Sequence, residues 1–556
     1  MCLIKNVYGA FRAALLVFFL LLSFFSFAVK PTNQTLVMVG GELAMCSSAN
    51  SQHCTSEEAI SGKESRLFKI TREAIKTVNQ SWPTNNKANK KAVNTLLNTL
   101  VDTHSKSMRK TQLLWAWRDI NNELLSVLHV SEFNYVLDML EIAVVDQQQN
   151  RVKERVFPAY NVDSSSTDIL DFVAASIKVN SQTPKVLVIT ASSRDPYASA
   201  DYYESLLNHK GIQAEWLPLT PASAYALVNN KCNELNTLRQ TEMHLFNREK
   251  VYRDRTDTEL AFCQQGINAL HKQLNTATAV IFNDGDQALA QQVLFTRSGE
   301  AYPWFTKLQS RPVIMGVGSG SILQNGGVSA QGKKSVMVLQ GDSLSALRQG
   351  GTNYDCIGCE MKEASDVLVY STKSGLATFD YGTVDSHFSE RNRTMRLARL
   401  LADTGQKYGF GIDETTALVS IRAADTALMT VIGKNGVVHI ESAGKLSGKL
   451  SYWPAGAVID VTDKGFSFAK RSVDNALPSM TIPPLPLQRF GGIFSEAKLR
   501  SLLQAMCLTQ EQQAVAQQDE FLLNLDATEQ THYYRINKSR SGCGVENLSF
   551  KVKTFN

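Results

Sequence analysis

The chain has 556 residues, 57 of them Lys or Arg and 52 Asp or Glu, for a net charge of +5 at pH 7. So slight an excess over so long a chain, with no dense Lys/Arg run, argues against a nucleic-acid-binding protein. At 44% hydrophobic and 20% charged residues the composition is that of a globular protein, which excludes a mostly disordered or fibrous one.

The first residues set the expected compartment. Lys5 and Arg12 precede Ala13–Ala28 (AALLVFFLLLSFFSFA), sixteen residues without a charge. A permanent membrane-spanning helix takes roughly 20 apolar residues. The run matches the apolar core of a secretory signal peptide, with Ser26 and Ala28 as small residues before the cut. An uncleaved anchor is the competing reading. Cleavage leaves about 528 residues, more than one core holds, so two or three domains or large insertions are expected. No later segment is long and apolar enough to span a membrane. The expected product is exported, either secreted or periplasmic, with no membrane attachment after cleavage.

Thr35–Val39 (TLVMV) reads as a buried strand ended by a tight turn at Gly40-Gly41. From about residue 61 to 150, runs such as KAVNTLLNTLVDTHSK and FNYVLDMLEIAVVD space apolar residues three and four apart, predicting a helical insertion without strands. Lys185–Thr190 (KVLVIT) predicts a second buried strand, followed by a turn at Ser192–Pro196 and a helix ending at Gly211. Strands are expected at Ile212–Leu217, Ala277–Phe282 and Pro312–Met315, with a polar helical stretch near residues 229–275. Strands alternating with helices indicate βαβ units and a parallel sheet with helices on both faces. Such sheets bind ligands in loops at the strand C-termini, which singles out Asn283–Gln287 (NDGDQ) and Gly316–Ser321 (GVGSGS). Strand-like runs TALVSI and GVVHIES follow Gly411, and the Pro-rich Leu477–Phe490 reads as a linker. The expected organisation is a signal peptide over 1–28, an α/β domain over 29–60 and 151–476, a helical insertion over 61–150, and a small C-terminal appendage over 491–556.

Nine cysteines are present, and Cys2 would leave with the leader. The other eight form sequence neighbours: Cys46 and Cys54, Cys232 and Cys263, Cys356 and Cys359, Cys507 and Cys543. An even count in an exported chain favours disulfides, and local pairing is one of 105 connectivities. Cys356-Ile-Gly-Cys359 also reads as a redox pair or half a zinc site, although no second CxxC and no nearby histidine cluster accompany it.

Three motifs carry chemistry. A nucleophile on a strand-to-helix elbow needs small neighbours, with the spacing G-x-S-x-G. Here that frame reads Gly316-Val317-Gly318-Ser319-Gly320, with the serine one residue late. A glycine-rich turn with a capping serine is the plain alternative. His387 sits in Asp385–Arg393 (DSHFSERNR) and is followed by Arg391, Arg393 and Arg396, whose guanidinium groups suit a carboxylate or a polyanion. A solvated basic helix start explains them equally well. Gly411–Val419 (GIDETTALV) places acidic residues before a buried strand.

In chain order these blocks resemble the cyanophycinase family and its smaller relatives, the α-aspartyl dipeptidases. These are serine peptidases on a flavodoxin-like sheet related to class I glutamine amidotransferases. LVMVGGE at 36–42 resembles the family's strand and GGGE. VLVITASSRDPYASADYY resembles its strand, A-S-S turn and tyrosine-bearing helix. DGDQ at 284–287 resembles GGDQ, GVGSGS resembles GTSAGA, DSHFSERNR resembles DQHFxxRNR, and GIDETTALV resembles GIDExTALV. The matched blocks lie within about residues 35–42 and 185–445.

The resemblance implies His387 as general base, with Glu363 as the acid that orients it and Glu360 as the second candidate. It implies Gln287 and Ser386 as substrate contacts, Ser386 standing where the family has glutamine. Arg391, Arg393 and Arg396 would hold aspartyl carboxylates, and backbone N–H groups of Gly285 and Gly320 would form the oxyanion hole. Alignment without a gap puts Gly318 at the nucleophile position, so serine catalysis would require Ser319. The implied activity is that of an exported exopeptidase hydrolysing β-aspartyl-arginine polymer, cyanophycin, to dipeptides, with no metal or organic cofactor required. Two rival readings are an inactive homologue that binds an acidic peptide or polymer, and an amide hydrolase with another substrate. The sequence leaves the oligomeric state open, a homodimer included.

Overall fold

The structure, a computed structural model, describes residues 33–41, 43–423, 426–480, 490–539 and 542–555. The expected signal peptide and residues 481–489 of the Pro-rich linker lie outside the described residues. The Val/Ile/Leu runs of the sequence form five parallel strands: β1 (Asn33–Val39), β2 (Val186–Ile189), β3 (Ala214–Trp216), β4 (Ala279–Phe282) and β5 (Val313–Val317). Their spatial order is β3-β2-β4-β5-β1. Beyond β1 the sheet turns antiparallel through Thr416–Ala423, Thr426–Gly433, Val458–Thr462 and Gly465–Phe468. The result is a mixed α/β fold around a nine-stranded sheet with a parallel half.

Every residue of β2, β4 and β5 is buried, as continuous apolar runs require when both faces are covered. The side chains alternate between two cores. Leu187, Ile189, Val280, Phe282 and Ile314 pack with Tyr197, Phe262 and Leu270 on one face. Val186, Val188, Ala279, Ile281 and Val313 pack with Leu170, Val173 and Leu206 on the other. Full burial of each large apolar side chain contributes about 1.5–3 kcal/mol.

Residues 61–150 are mainly helical, with helices Arg72–Gln80, Lys87–Thr103, Lys110–Val127 and Val130–Leu140. They share a core of their own that includes Leu97, Trp117, Tyr135 and Leu140. One detail departs from the expected strandless insertion: Leu67–Phe68 pairs antiparallel with Glu141–Ile142. Buried Arg248 ties this end to the main body, donating from Nη1 to Glu141 at 2.9 Å and to Asp195 at 2.8 Å.

A second sheet runs through Thr383–Asp385, Tyr408–Ile412, Gly436–Gly444 and Ser447–Pro454. The expected C-terminal appendage extends this sheet. Cys543–Thr554 pairs with Ser447–Pro454, and Phe521–Asp526 and Gln513–Gln518 follow outward. The alternating burial of FLLNLD explains why these strands complete a sheet face instead of standing alone.

Disulfides join Cys46 to Cys54, Cys232 to Cys263, Cys356 to Cys359 and Cys507 to Cys543, the local pairing among those the sequence allowed. No helix of the described residues is long and apolar enough to cross a membrane.

Candidate active site

The site lies where β1, β4 and β5 end. Strand β5 runs into Gly318, whose φ of 51° and ψ of −109° belong to a tight strand-to-helix elbow that favours glycine. Gly316 and Gly320 allow the chain to cross itself, since a Cβ on either would fall within 2.5 Å of a backbone carbonyl. At Gly318 the obstacle is a side chain. A Cβ there would lie 1.9 Å from Asp284 Oδ1, so the carboxylate of Asp284 occupies the space a nucleophile's side chain would take.

Asp284 follows β4 and is held at both ends. Its Oδ1 accepts from the backbone N–H of Gly285 at 2.8 Å and of Ser319 at 2.9 Å. Its Oδ2 lies 2.9 Å from His387 Nε2. The other ring nitrogen, Nδ1, lies 2.6 Å from Glu414 Oε1. Ionised carboxylates only accept, so with both flanking acids ionised the two ring nitrogens donate and the ring is an imidazolium.

The charges agree with this geometry. Burial pulls the His387 imidazole down, but its bonds to Asp284 and Glu414 outweigh that and hold its pKa above the ordinary value. Burial pushes Asp284 up, and the hydrogen bond and charge of His387 bring it below the usual carboxylate range. Glu414 is lowered first by its hydrogen bond to His387.

The backbone that presents the histidine is specialised. His387 has φ of 48°, a left-handed conformation that costs a non-glycine residue about 1–3 kcal/mol and concentrates at functional sites. Its N–H donates to the carbonyl of Gly40, and Phe388 N–H donates to Ile412 O at 3.1 Å. A Cβ on Gly41 would meet His387 Nδ1 at 2.8 Å, so the glycine pair after β1 is the floor on which the ring rests.

Behind the pair, Arg500 Nη1 donates to Asp413 Oδ2 at 2.9 Å and also to Glu390 Oε1. Glu390 Oε2 accepts from the N–H of Glu414 at 3.0 Å, and Asp413 Oδ1 from that of Ser389 at 3.0 Å. Burial and the neighbouring Glu390 push Asp413 up to about 6 against the pull of Arg500. The loops carrying His387 and Glu414 are thus joined through an arginine from the C-terminal segment.

Several expected residues take other places. Ser319 is buried and its hydroxyl donates to Gly285 O at 2.5 Å, while both nitrogens of His387 are taken by carboxylates. Glu414, not Glu363, sits on the imidazole. Glu363 lies in the loop held by Gln340, whose side chain donates to the carbonyls of Glu363 and Ala364. Glu360, the second candidate, is exposed and lies 3.8 Å from His129. Gln287 donates to the carbonyls of Val338 and Leu339 at 2.9 and 2.5 Å, so its amide anchors the loop. Ser386 is fully buried, and its hydroxyl has no partner among the described residues.

Arg396 is buried in a two-pronged bond to Asp385 at 2.9 and 2.6 Å, with a third to Gly341 O at 2.6 Å. Arg393 donates to Ser386 O at 2.8 Å, and burial followed by the charge of Arg396 brings it down to about 9. Of the three arginines only Arg391 is open, its side chain 55% exposed and its Nε 3.9 Å from Glu414. Gly285 does present its N–H to the site. The second donor is Ser319 rather than Gly320, because it follows the elbow residue Gly318 directly.

Asp284 and Glu414 are the members that sequence reasoning missed as site residues. Both lie within motif blocks already singled out. The signal for Asp284 is that DGDQ gains a carboxylate relative to GGDQ while the elbow loses its side chain at Gly318. Neither change alone reveals that the two positions touch.

No protein-family model matches the chain. Among solved structures it is similar to the crystal structure of a peptidase from an acI-B1 Actinobacterium, at 14% sequence identity and a TM-score of 0.32. The match covers 54% of this chain and 92% of that one. A likeness of that size identifies neither a family nor an activity.

Proposed function

We propose that this chain is a cyanophycinase-like protein that binds an acidic peptide or an aspartyl-arginine polymer without cleaving it through a serine. The observation that carries this reading is the Asp284 carboxylate, which fills the side-chain space at Gly318 and takes His387 Nε2. General-base catalysis requires the nucleophile's hydroxyl within about 2.6–3.2 Å of the base. The only ligand-accessible arginine of the motif, Arg391, would meet a carboxylate of the ligand at the mouth. In this reading the sheet is a variant of the flavodoxin-like arrangement, residues 61–150 an insertion, and residues 1–28 an export signal. The four disulfides fit an oxidising compartment.

The test is incubation of the purified protein with cyanophycin, following both retention on the insoluble polymer and release of β-aspartyl-arginine. Retention without release is expected. The double variant Asp284→Gly with Gly318→Ser restores a serine at the elbow and clears its path to His387, and is expected to gain hydrolysis. Dipeptide release by the unaltered protein, abolished by Ser319→Ala, overturns the reading and returns Ser319 to the nucleophile's role.

A further inference from the structure

The two departures of the site from a serine elbow are complementary in space. One position loses its side chain, Gly318, and another supplies a carboxylate to the same volume, Asp284. Loss of catalysis alone would require only the first. The added carboxylate meets three N–H donors from three separate segments, Gly285 N–H at 2.8 Å, Ser319 N–H at 2.9 Å and His387 Nε2 at 2.9 Å, with the Ser319 hydroxyl 3.3 Å from its Oδ1. That donor set is shaped for a planar anion, with two N–H groups on one oxygen and a charge-assisted bond on the other.

We infer that these three donors form a carboxylate-binding site and that Asp284 is its internal, displaceable occupant. The inference rests on the reading above, in which no hydroxyl attacks from this site. Three features favour exchange over a permanent lock. The Asp284 side chain is 12% exposed, whereas the neighbouring Asp385–Arg396 pair is sealed at 0% and 1%. Gly285 and Asp286, the next two residues, are exposed, so the loop that carries Asp284 borders solvent. The exposed cation of Arg391 stands by Glu414, 3.9 Å away, where it would draw an incoming acid. In the occupied state the side chain of Asp284 turns out to solvent, and the carboxylate of a ligand takes over its three hydrogen bonds. No bond is made or broken covalently. The ligand class is a small carboxylic acid or a peptide bearing a free carboxylate, and simple acids are held off by the tethered competitor.

The experiment uses the full chain and acetate as the probe, with chloride at equal ionic strength as control. Asp284→Ala empties the cradle, so acetate is expected to bind it at least about tenfold more tightly than the unaltered protein in calorimetry. Adding His387→Ala to that variant is expected to remove the gain. Should Asp284→Ala fail to fold, Asp284→Asn keeps the shape and lowers the charge, and it is expected to show a smaller gain of the same sign. In the unaltered protein, high acetate is expected to shift the amide resonances of Gly285 and Ser319 where chloride does not. Folded variants that bind acetate no better than the unaltered protein overturn the inference. Polymer retention and dipeptide release are read separately, so the binding reading survives that failure.

Discussion

Two of the clusters in which carboxylates surround a cation differ in what the cation is. Around Arg248, the groups of Asp138, Glu141 and Asp195, 1%, 1% and 10% exposed, close a knot between the helical block and the main body, with Arg66 as a second cation on Glu141. Around His387, Asp284 and Glu414 close a knot that is 9%, 12% and 37% exposed at its three side chains. Burial pulls the Arg248 guanidinium down, but the charges of Glu141, Asp195 and Asp138 hold it above its ordinary value, so it stays charged at every accessible pH, whereas an imidazole changes charge near neutrality. The first arrangement can only hold; the second can also respond.

The comparison is broken most directly at Arg248. Arg248→Met leaves Arg66 as the one cation on Glu141 and Asp195 and is expected to cost about 3 kcal/mol in denaturant unfolding. A loss below about 1 kcal/mol would mean the knot is not structural. Arg500→Met should cost less, about 2 kcal/mol, because Asp413, already pushed up to about 6, takes up a proton when its partner leaves. Arg500→Lys should recover part of that loss, since it restores charge but not the shared reach to Glu390 and Asp413.

The pH dependence sharpens the contrast. His387 is raised, so its share of stability is complete below about pH 6.5 and is lost as pH rises through the raised value. Asp284 and Glu414 are lowered, so their shares are complete above about pH 4.5 and are lost as pH falls through the lowered values. For Glu141 of the other knot, burial raises the pKa but Arg66 and Arg248 bring it to about 2, so its share is lost only in acid. Melting curves from pH 5 to 9 should therefore flatten in His387→Gln and keep their slope in variants of the Arg248 knot. The smallest effect is expected for Arg391→Ala. Its stability should stay within about 0.5 kcal/mol of the parent, because the group is exposed and its acid partner distant. Polymer retention should nevertheless fall, and unchanged retention would remove Arg391 from the ligand's path.

Much of the fold was legible in the sequence because its signals are local. The buried strands at 35–39, 185–190 and 277–282 announce themselves as short β-branched runs, and the structure places β1, β2 and β4 there. The helical character of residues 61–150 follows from the spacing of apolar residues, and His387 from its motif. Less legible was the C-terminal segment, whose strand Cys543–Thr554 finds its partner in Ser447–Pro454, with Ser447 opposite Lys551. Strand pairing is a matter of edges, and an edge has no sequence signature until the sheet exists.

By itself the sequence determined which side chains were available near strand ends: an elbow with glycine in place of serine, a histidine, three arginines and several acids. Which of them meet was decided only by the tertiary structure. Glu414 reaches the imidazole because Thr383–Asp385 and Tyr408–Ile412 run parallel as neighbours and end side by side. Arg393 and Arg396 are withdrawn because the buried acid Asp385 and nearby carbonyls demand their donors. Asp284 fills the side-chain space at Gly318 because β4 and β5 are adjacent, so their C-terminal loops share one volume. Hydrogen bonding and exclusion act over a few ångströms in space, and these partners stand up to 103 residues apart along the chain.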